Sequence, residues 1–127
     1  MGKMDLFERL AKERKLSAQL IHLFEKEYGN LFYKSLEFIQ KAGPKVYKVS
    51  FSPSNLDLWT VQGAKRTYLV YPNIFCQCQD FLLNSIYRRH KFYMCKHLFA
   101  QKLADSLDQY ITLNLKDKNF GDWKKQI

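Results

Sequence analysis

The chain has no run of about eighteen consecutive apolar residues, so no membrane-spanning helix is expected. Its opening, MGKMDLFERLAKERK, is charged and amphipathic and lacks the apolar core of a signal peptide. Both absences point to a soluble, intracellular protein without a membrane partner. Met1-Gly2 opens like a myristoylation signal, but Leu6 stands where Ser or Thr is required, so lipidation is not expected either. No internal repeat and no low-complexity segment interrupts the 127 residues. Cysteine is scarce: there are three, an odd number that cannot close a disulfide framework, and all lie in one short stretch beside a histidine. Odd and clustered thiols favour a metal over disulfides and fit a reducing compartment, where they stay free to ligate.

Against these absences stands a chain that is 46% apolar, with ten Phe, eight Tyr and two Trp. That is enough to bury one modest core, and one compact α+β domain is expected. The aromatic surplus also points to some apolar area facing a partner. The formal charge is +9, from 21 Lys and Arg against 12 Asp and Glu, which favours contact with a polyanion, nucleic acid before membrane. A solvated basic surface or an acidic protein partner accounts for the same charge.

The first third, residues 1–44, reads as helical. From Leu16, the residues Leu20, Leu23, Phe24 and Tyr28 recur at helical spacing, with Ser17 as N-cap and Gly29-Asn30 as the stop. Phe32, Leu36 and Ile39 form a second helical face that ends at Gly43-Pro44, and Leu6, Phe7 and Leu10 add a shorter amphipathic stretch. The period then changes. Tyr47, Val49 and Phe51 alternate with polar residues, and Trp59 and Val61 follow the loop Ser52-Pro53-Ser54-Asn55. A turn at Gly63-Ala64-Lys65 returns the chain through Tyr68 and Val70, which predicts three antiparallel strands, with Pro72 as a kink or edge beyond them. A helix is predicted from Asp80 through Leu82, Leu83, Ile86 and Tyr87, closed by Arg88-Arg89-His90-Lys91. A last helix starts near Cys95, with Phe99, Leu103, Leu107 and Tyr110 on one face. The module spans 45–113, and the polar tail, 114–127, is expected to fray.

The chemistry concentrates in FCQCQDF and CKHLFA, which set Cys76 and Cys78 against Cys95 and His97 across a sixteen-residue spacer. Three thiols and an imidazole are the ligand types that hold Zn2+ in a closed tetrahedron, so one structural ion is expected, with no open position for water or a small-molecule substrate. A C-x-C pair suits the end of a strand or a bend, where a local kink turns both thiols to one side, whereas strict strand geometry would point them together along one face. Thiolates at the head of a helix also gain from its dipole. The alternative is that the cysteines are small buried hydrophobes and His97 a satisfied core residue. His90 competes as fourth ligand; His97 is preferred because C-x-C followed by C-x-H is a known zinc pattern. His22 lies among helical residues far from the cysteines. Cys95 and His97 are poorly spaced for a nucleophile and its base, and nothing else completes a triad, so no enzyme is expected.

The string CQC-x16-CKH, preceded by strands and followed by helix, resembles the SWIM zinc finger, whose pattern is C-x-C-x(n)-C-x-H. Chain size, the helical prefix and CKHLFA make it most similar to the small SWIM-domain subunit of the Shu complex. The likeness is strongest from about Val61 to Leu103. Gln79 departs from the Pro often found after the second cysteine. The resemblance implies a subunit that pairs with RecA-like recombinase paralogues and promotes recombinase assembly on single-stranded or branched DNA during homologous recombination, in the nucleus. The scattered basic residues themselves form no localisation run. It also implies that Cys76, Cys78, Cys95 and His97 are the zinc ligands and that Ala100 is the small residue one turn along the helix. Small size at Ala100 would let that helix sit close to the metal loop.

Two surfaces follow as expectations. Arg88, Arg89, Lys91 and Lys96 can neutralise phosphates, with Tyr87, Phe92 and Tyr93 available for stacking, or they form a solvated basic face. Leu20, Phe24, Tyr28 and Phe32, with Tyr33 and Phe38, either bury against a partner or roof the small sheet.

Overall fold

The structure is a computed structural model that describes residues 5–39, 43–72, 75–78 and 95–127. Three helices open the chain. In α1 (Leu6–Glu13) the Asp5 carboxylate accepts from the Phe7 N–H at 2.7 Å, and the Arg14 N–H returns to the Leu10 carbonyl. The side chain thereby satisfies a backbone donor that a helix start leaves without an internal partner. Ser17 caps α2 (Ala18–Tyr28) through the Leu20 N–H, as expected. Gly29 ends it at φ 61 and ψ −133, a conformation closed to side chains. The next helix, α3 (Asn30–Leu36), is shorter than its periodicity implies, and Phe38 and Ile39 enter the core from the turn after it.

The predicted hairpins are present as β1 (Val46–Ser52), β2 (Leu56–Gln62) and β3 (Thr67–Tyr71), paired antiparallel in that order. At the β2–β3 turn the Gly63 N–H donates to the Arg66 carbonyl, and a Cβ on Gly63 would lie 2.8 Å from the Tyr68 ring, so glycine is needed there for close approach. Pro72 directly follows β3. The sheet is larger than the three antiparallel strands expected from the sequence. A two-residue strand, β4 (Phe75–Cys76), adds to β3, and β5 (Ile111–Lys116) adds parallel to β1, giving a mixed sheet ordered β4-β3-β2-β1-β5.

Between β4 and β5 runs α4 (Lys96–Leu107), the helix predicted to start near Cys95. It buries Leu98, Phe99, Ala100, Leu103, Ala104 and Leu107, because α1 and α3 cover one side of it and the sheet the other. Phe99 is the hub of the core. Its ring meets Phe7 edge-on at 5.2 Å and Tyr28 at 4.8 Å, while Phe24 stacks on Phe32 at 5.2 Å.

The tail is a second correction. Residues 114–127 do not fray: the boundary at 113 falls inside β5, a 3-10 turn follows at Asp117–Asn119, and α5 (Phe120–Lys125) ends the chain. Asp117 accepts from the Ser54 N–H at 3.0 Å and the Ser54 hydroxyl at 2.8 Å. Phe120 and Trp123 pack on Phe51 at 5.2 and 5.3 Å. Ile111, Leu113 and Leu115 alternate with polar residues, but their partner is β1, far upstream. Local composition therefore reads as a tail what a distant strand orders. Among the described residues, no helix is long and apolar enough to cross a membrane. The helix predicted from Asp80 lies outside the described residues.

Candidate metal centre

Each side chain of the predicted group is placed by its own element. Cys76 lies on β4 opposite Val70, on the face of the sheet that meets the helices. Beyond the strand a bend at Gln77-Cys78 leaves Gln77 exposed and Cys78 buried beside Cys76. Gln77 holds this geometry, since its N–H donates to the Leu69 carbonyl at 3.2 Å and its side-chain oxygen accepts from the Leu69 N–H at 2.9 Å. Cys95 is the N-cap of α4, with extended backbone, and its Sγ accepts from the Leu98 N–H at 3.4 Å. A sulfur here fills the place usually taken by a capping oxygen. His97 follows in the first turn, packed against the rings of Tyr68 at 4.4 Å and Phe38 at 5.2 Å.

The tertiary structure brings the two pairs together. All four residues are buried, and their ligand atoms lie within 4.8 Å of one another. Nδ1 of His97 is 4.0 Å from the Cys95 sulfur. Zinc–sulfur bonds of about 2.3 Å in a tetrahedron set sulfurs roughly 3.8 Å apart, so a bound ion needs only a small contraction of the group. The three cysteines form no disulfide. Four buried Cys and His residues thus form one group that can hold a metal ion, and the donors fit a closed, four-coordinate site.

Electrostatics agrees with the geometry. The contact with Cys78, then that with Cys95, then burial push the Cys76 thiol well above its ordinary range. For Cys95 the hydrogen bond with Cys76 lowers the value, but Cys78 and burial outweigh it and leave the thiol raised to about 12. Three thiolates cannot share a dry pocket unless a cation compensates them.

The other site expectations fare differently. Lys96 is exposed at the start of α4, whereas Arg88, Arg89, Lys91 and the competing His90, with Tyr87, Phe92 and Tyr93, lie outside the described residues. Ala100 is fully buried in the core, and His22 is exposed on α2. Leu20, Phe24 and Phe32 are fully buried and Tyr28 is half-buried in the chain's own core, where the three rings pack around Phe99 of α4 and not directly on the sheet. The sequence reading missed Gln77 and the rings around His97. Gln77 was visible as the middle of C-x-C; Tyr68 and Phe38 reach His97 only through the fold. Comparison with protein-family models, with curated proteins and with solved structures finds no match to this chain.

Proposed function

We propose that the four-residue group is a structural Zn2+ site of SWIM type and that the chain is a non-enzymatic adaptor. The observation that carries this reading is the buried Cys3His set with its four ligand atoms within 4.8 Å. The β2–β3 hairpin ahead of the first ligand pair and the helix starting at the second support the finer assignment. Zinc would fasten β4 to the head of α4, and four protein donors would leave no position for a reacting water. Its chemistry there is cohesion: binding free energy becomes folding free energy.

As an adaptor, the chain would act in a Shu-type complex in the nucleus, binding a RecA-like recombinase paralogue and promoting recombinase assembly on single-stranded DNA in homologous recombination repair. The motif likeness and the +9 charge support this reading. A stand-alone nucleic-acid-binding finger is the competing reading, favoured by the same charge.

The test begins with zinc content in protein purified without added metal, for the wild type and Cys95→Ser. About one zinc per wild-type chain, lost with folded structure in the variant, supports the site; no metal and a fold indifferent to chelator overturn it. Co-expression with RecA-fold paralogues then separates the functions. A stable complex that speeds filament assembly supports the adaptor. Steeply salt-dependent DNA binding by the isolated chain, with no such complex, supports the finger.

A further inference from the structure

The first cysteine pair meets a geometric demand that a strand by itself does not satisfy. A strand advances about 3.3 Å per residue, so residues two apart on one face stand roughly 6.6 Å from each other. The ligand atoms of Cys76 and Cys78 nevertheless lie within 4.8 Å, and a shared zinc asks for roughly 3.8 Å between sulfurs. The chain therefore has to leave extended geometry at Gln77. It does so: β4 ends at Cys76, and a bend occupies residues 77–78. Leaving a strand ordinarily gives up ladder bonds. In an antiparallel ladder the two residues of a hydrogen-bonded pair exchange both of their N–H to carbonyl bonds. The register Tyr71↔Phe75, Val70↔Cys76 sets Leu69 opposite Gln77 as the next pair. One bond of that pair is backbone to backbone, from the Gln77 N–H to the Leu69 carbonyl at 3.2 Å. The other is not. The Leu69 N–H donates at 2.9 Å to the side-chain Oε1 of Gln77, in the place that the Gln77 carbonyl takes in a continuing strand.

We propose that Gln77 is a positioning residue for the metal: its side-chain oxygen substitutes for its own backbone carbonyl, so that the strand ends at Cys76 with its ladder bond kept and Cys78 turns in beside Cys76. Side-chain acceptors that satisfy a backbone N–H are the means by which a bend competes with a ladder. Gln suits the place because its amide offers an acceptor on a stem long enough to reach the neighbouring strand. Its side chain is exposed, so burial does not account for it. Leu69 also follows Tyr68, whose ring lies 4.4 Å from that of His97. The bond from Leu69 to Gln77 thus ties the first ligand pair to the strand that packs against the fourth ligand. Gln77 acts through the backbone on either side of it and not as a ligand. This inference rests on the reading of the Cys3His group as a zinc site.

Two variants of the full chain separate the acceptor from the rest of the side chain. Gln77→Met keeps the length and lacks the acceptor; Gln77→Glu keeps an acceptor oxygen at the same reach. Zinc affinity is read by competition with a chelator, and the visible ligand-field bands of Co2+ in place of zinc report the geometry of the thiolates. Gln77→Met should bind zinc roughly tenfold more weakly, with shifted Co2+ bands and faster hydrogen exchange at the Leu69 amide. Gln77→Glu should return zinc affinity to within roughly threefold of the wild type, with the wild-type Co2+ spectrum. Circular dichroism of the zinc-loaded proteins should be the same for all three. Wild-type affinity and an unshifted Co2+ spectrum in Gln77→Met would overturn the proposal, and so would a loss in Gln77→Glu as large as that in Gln77→Met. In either case the zinc reading would stand, because the wild type holds metal. A wild type that takes up neither zinc nor Co2+ would overturn the zinc reading and this inference with it.

Discussion

On the face of the sheet that meets the helices, Val46, Val61 and Val70 are 0%, 0% and 1% exposed, whereas on the opposite face Leu56, Tyr71 and Leu113 retain 45%, 43% and 38%. The same strands supply both faces, and on the second face Val49 and Phe51 are themselves buried, at 1% and 2%. What differs is the cover. One face meets α4 backed by α1 and α3, and it holds the buried metal group at one margin. Among the described residues the other meets α5, whose Phe120 and Trp123 close over Phe51, while Leu56, Tyr71 and Leu113 stay partly exposed. The two faces therefore differ in packing: one carries most of the core, and the other keeps part of its apolar surface exposed.

Breaking the covered face should have the largest effects. Structural zinc contributes about 10–16 kcal/mol in small zinc domains, so Cys76→Ser, or chelation of the wild type, should abolish most of the cooperative thermal transition seen by circular dichroism. Phe99→Ala removes the hub ring and should lower urea-unfolding stability by about 3–5 kcal/mol while leaving a measurable zinc stoichiometry under native conditions. A transition that survives metal loss, or a mild Phe99→Ala, would remove the asymmetry between the faces.

Smaller effects should mark the other face. Trp123→Ala takes away half the cover of Phe51 and should cost about 1–2 kcal/mol, with faster hydrogen exchange in β5 and unchanged zinc content. Asp117→Ala releases the tie to Ser54 and should cost about 0.5–1 kcal/mol, since both partners are exposed to water. A Trp123→Ala loss as large as that of Phe99→Ala would mean that the second face belongs to the main core.

Local signals made much of the molecule legible. Ser17 and Gly29 bound α2 because a hydroxyl cap and a glycine stop act within one turn of chain. The alternation through Val49 and Phe51, and the turn at Gly63, announced β1 to β3. The Cys3His group was legible because a cysteine pair at a strand end and a C-x-H pair at a helix start are readable as local spacings. The tail was misread, since Lys116, Asp117 and Lys118 look solvated to any local measure. Spacing alone left Leu20, Phe24 and Phe32 open to either a partner or the chain's own core, because the helix they pack against, α4, lies far along the sequence.

The sequence by itself determined the Cys3His set, the order from α1 to β3 with the helix that starts at Cys95, and the basic charge, because each depends on residue type and spacing along a short length of chain. Tertiary structure alone decided that the two ligand pairs converge, that β5 pairs with β1, and that one sheet face closes while the other stays partly open. These outcomes depend on contacts between distant segments, whose pairing is set by the whole core being filled at once.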